Sequence, residues 1–74
     1  MLPRMERDAW IAAFAAQLGV APPTPEQVEQ LLALAGVAAH SSERTAAPLA
    51  CWVAGCAGAS ADTLLAAAER VSAA

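Results

Sequence analysis

The stretch VAPPTPEQVEQLLALAGVAAHSS, residues 20–42, decides the fold. Its opening is a helix start spelled out residue by residue. Thr24 is suited to cap the helix, Pro25 takes the first helical position, where a missing N–H costs nothing, and Gln27 stands three places after the cap. Thr-x-x-Gln is a capping box, in which each side chain accepts from or reaches back to the other residue's backbone N–H. Glu26 adds negative charge where the helix dipole favours it. Beyond it Val28, Leu31, Leu32, Ala35 and Ala39 recur at helical spacing, which predicts a second helix over residues 25–41 behind a stiff linker at residues 20–23.

Working upstream, Trp10, Ile11, Phe14 and Leu18 form one helical stripe and Gly19 is a good left-handed stop, so the first helix is placed at residues 7–18. Its other face is Ala9, Ala12, Ala13, Ala16 and Gln17. That face has almost no charge, and it is either solvated methyl groups or a contact with another chain. Working downstream, Pro48 suits a helix start and Leu49, Trp52, Val53 and Cys56 repeat at i, i+3, i+4 and i+7, giving a third helix over residues 48–57. The opposite face of that helix is Ala50, Cys51, Ala54, Gly55 and Ala57, small enough for a neighbour to pack very close. Ser60 then caps a fourth helix over residues 61–72, with Leu64, Leu65, Ala68 and Val71 facing inward.

The prediction is an all-α fold: a small four-helix bundle-like domain with antiparallel neighbours and short loops, spanning residues 1–74 as one unit. Alanine supplies close to a third of the residues, and no alternating strand pattern occurs. Trp10, Phe14, Leu31, Leu32, Leu49, Trp52, Val53, Leu64, Leu65 and Val71 are expected to share one core.

Charge excludes several functions. The net charge is −3 and the only cations are Arg4, Arg7, Arg44 and Arg70, spread along the chain, whereas gripping nucleic acid needs clustered positive charge. An anionic membrane surface is disfavoured for the same reason. The uncharged runs at residues 9–25 and 46–61 are too short and too weakly apolar to span a bilayer, and residues 1–16 lack the pattern of a signal peptide. A cytoplasmic location with reduced thiols is therefore expected. Cys51 and Cys56, five apart on one helix, point about 140° apart around its axis and beyond disulfide reach. With a single histidine the chain has no evident metal site, and no cofactor is expected.

No catalytic constellation emerges, and the chain is not expected to be an enzyme. His40 beside Ser41 and Ser42 lacks an oxyanion hole. Asp62-Thr63-Leu64 differs from the Asp-Ser-Leu motif of acyl carrier proteins in both position and residue. One arrangement has chemical content. If the second helix persists, His40 and Arg44 share a face, and the start of the third helix offers the N–H groups of Leu49, Ala50 and Cys51. An anion or nucleotide phosphate would suit such a site, with the alternative that Arg44 pairs with Glu43 or Glu69 and His40 caps carbonyls.

The stretch Ala39-His40-x-x-x-Arg44-x-x-Ala47-Pro48-Leu49, with Gly55 in an Ala-rich helix, Trp10 early and a helix ending at Leu18-Gly19, resembles a family of small uncharacterised helical proteins from high-GC actinobacteria. The likeness covers residues 8–70, although members often carry Pro where this chain has Thr45. Members occur alone or fused to a molybdenum-cofactor guanylyltransferase, the enzyme that makes molybdopterin-guanine dinucleotide. The resemblance implies a non-catalytic accessory or interaction module in that biosynthesis, with the guanylyltransferase as partner, and it transfers no site residue. Two alternatives stand beside it: an anion or nucleotide binder using His40, Arg44, Leu49 and Ala50, and a structural homo-oligomer held by Ala-rich faces.

Overall fold

In the computed structural model, which describes residues 5–73, four α-helices follow one another without a strand among the described residues. They are α1 (Arg7–Leu18), α2 (Pro25–Ser41), α3 (Ala46–Ala57) and α4 (Ala61–Ala73). Arg4, one of the four cations, lies outside the described residues.

Local chemistry fixes the helix ends. At the start of α2 the Gln27 N–H donates to Thr24 Oγ1 at 3.1 Å, and the Thr24 N–H donates to Gln27 Oε1 at 2.8 Å, completing the capping box. α1 stops because Gly19 adopts φ 70°, which lets the N–H groups of Gly19 and Val20 return to the carbonyls of Ala16 and Ala15 at 3.2 and 3.0 Å. Gly58 ends α3 in the same left-handed conformation, φ 66°. Ser60 accepts the Thr63 N–H at 3.3 Å and so caps α4.

α3 begins two residues before the expected start at Pro48. The Ala46 N–H donates to the Glu43 carbonyl at 2.8 Å and the Ala47 N–H to that of Arg44 at 3.2 Å, so the turn winds directly into the helix. Pro48 then occupies the third helical position, where its missing N–H is still no loss, because none of the first-turn donors has a partner inside the helix.

α2 is the hub, packed against both α3 and α4, while α1 makes no comparable contact with any helix. The four-residue loop between α2 and α3 returns the chain antiparallel. The side chain of Gln30, early in α2, donates to Asp62 in the first turn of α4. At the other end His40 and Ser41 border the same recess as Ser72 and Ala73, so α4 runs parallel to α2. The molecule measures 46 × 27 × 18 Å with a radius of gyration of 13.6 Å, against about 11 Å for a compact domain of this length.

The expected shared core does not form. Among the described residues the buried hydrophobic side chains are Ala15, Leu34 and Ala54, with Leu34 only 5% exposed. Leu31, Leu64 and Leu65 are half-buried, as are Val28, Ala35 and Ala39. Trp10, Phe14, Leu18, Leu32, Leu49, Trp52, Val53 and Val71 are all more than half exposed, Trp52 at 72%. The periodicity of α3 is right but its inward face is the other one: Ala46, Ala47, Ala50, Cys51 and Ala54 meet the rest of the fold. Methyl-sized side chains let α2 and α3 approach closely, and a face carrying Leu and Trp would hold them apart. In α1 the inward line is likewise Ile11 and Ala15, while the rings of Trp10 and Phe14 stack on each other, centroids 5.1 Å apart.

These contacts set stability expectations that urea denaturation checks. Leu34→Ala should cost about 2–5 kcal/mol, because it empties the most buried large site. Ala54→Leu, which adds bulk where α3 is closest to its neighbours, should cost about 1–3 kcal/mol. Thr24→Ala, which removes one half of the capping box, should cost about 1 kcal/mol.

Candidate interaction surface

The turning of α3 creates two adjoining features. Its outward ridge carries Leu49, Trp52, Val53 and Cys56, all exposed, and no residue of the helix is charged. Beside the ridge runs a groove of about 590 Å³ over α2, between α3 and α4. Leu34, Val37 and Ala38 form its floor, Ala50, Val53 and Ala54 one wall, and Leu64, Ala68 and Val71 the other. Val53 belongs to both features, being a member of the ridge and a lining residue of the groove.

A second recess, of about 670 Å³, separates α1 from the start of α2. Ile11, Ala12, Pro23, Val28, Leu31 and Leu32 line it, and Arg7, Asp8 and Glu29 stand at its edge. The Arg7 Nε donates to Asp8 Oδ1 at 2.9 Å, the one ion pair among the described residues. Both groups are well exposed, so the pair contributes little to stability. The Ala12, Ala13 and Ala16 face of α1 is exposed as well.

The residues singled out for anion binding fall on α2, the turn after it and α3. His40 lies in the last turn of α2 and borders a shallow recess with Ala33, Gly36, Val37, Ser41, Glu69 and Ser72. α2 ends at Ser41, so Arg44 sits in the following turn, exposed, and the one-turn spacing along a common helix does not apply. Leu49 and Ala50 are the fourth and fifth residues of α3. Ahead of them, Ala46 and Ala47 donate to loop carbonyls and Pro48 has no N–H.

Among the described residues no group of three or more His, Cys, Asp or Glu side chains converges on a possible metal position. Cys51 and Cys56 are free thiols, the first half-buried and the second exposed. No helix of the described residues is long and apolar enough to cross a membrane. The large exposed apolar side chains were misassigned to the core because they have the right period. The signal that could have separated the two faces of α3 is side-chain size, since neither face carries a charge.

Compared with known proteins, the chain matches over residues 3–74 a family described as a domain of unknown function, DUF6457. No curated protein and no solved structure matches it.

Because His40 and Arg44 are both exposed, His40→Ala and Arg44→Ala should each shift unfolding stability by no more than about 0.5 kcal/mol. Urea titration measures this. A loss of about 2 kcal/mol in either variant would reveal a structural role that their exposure argues against.

Proposed function

Since the chain belongs to the DUF6457 family, whose function is unknown, we propose from its own surface that it is a non-catalytic interaction module whose apolar faces are covered by protein. One observation carries this reading. The chain exposes 5913 Å², whereas a folded monomer of 7.5 kDa exposes about 4,200 Å². The excess includes large apolar side chains on α1 and α3, led by Trp10, Phe14, Leu49 and Trp52. Apolar surface of this extent marks contact sites rather than solvated exterior.

The likeness to proteins found alone or fused to a molybdenum-cofactor guanylyltransferase supports a finer version. In it the module is a cytoplasmic accessory of actinobacterial molybdopterin-guanine dinucleotide synthesis, with that enzyme as a partner. Thiols at Cys51 and Cys56 suit a reducing compartment. The polar residues His40, Ser41, Glu43 and Arg44 are all exposed, which suits a binding role better than chemistry.

Calorimetric titration of the purified chain into a guanylyltransferase from the same organism tests the finer version. Saturable heat, lost in Trp52→Arg, is the expected result, and none at about 100 μM would remove that enzyme as partner. The broader reading is tested on the chain alone. A folded monomer that binds no apolar dye and unfolds cooperatively would show that its surface needs no cover.

A further inference from the structure

We draw no further inference here: the strongest candidate, the apolar groove over α2 between α3 and α4 with the exposed ridge of Leu49, Trp52 and Val53 beside it, belongs to the surface already read as an interaction site, and nothing in the structure singles out what covers it.

Discussion

The packing of α2 against the small-residue face of α3 governs the rest of the molecule. Helices that meet through methyl groups pack closer than helices that meet through Leu or Trp, so the bulky residues of α3 are kept out of that contact. α3 presents Ala47, Ala50, Cys51 and Ala54 to that contact, so geometry sends Leu49, Trp52 and Val53 to the other side. Leu34 is the large side chain that does become enclosed, at the centre of α2, where both neighbours reach it. The groove between α3 and α4 follows from the same contact, since two helices that each pack against a common third need not close against one another.

Much of the fold was legible because helix ends are written in residue types. The capping box at Thr24 and Gln27, the glycine stops at Gly19 and Gly58, and the Ser60 cap each satisfy specific backbone groups, and each functions where the sequence places it. Pro48 misled by two residues because any first-turn position accepts proline equally well. What was not legible was which side of a helix faces inward. Hydrophobic periodicity identifies a face by contrast with polar residues, and α3 has none to supply the contrast. Its two faces differ in volume instead, and volume decides only once the neighbour is known to be an alanine-rich helix.

The candidate site shows the same limit. His40 and Arg44 stand four apart in sequence, a spacing that has meaning only within a continuous helix. The chain leaves that helix at Ser41, and three residues of loop are enough to remove the register. Trp52 was expected in the core, and it lies on the surface. Apolar residues at helical spacing mark a face of a helix, and they do not say whether the rest of the chain covers it.

The thin attachment of α1 has a kinetic side. A twelve-residue helix is marginal in water without tertiary support, and α1 is joined to α2 through Pro22 and Pro23 with little packing behind it. The Gly19 stop holds its end, but its amides should exchange through openings that leave α2, α3 and α4 intact. The chain should then open as two units of unequal protection, with the stacked pair of Trp10 and Phe14 on the one that opens first.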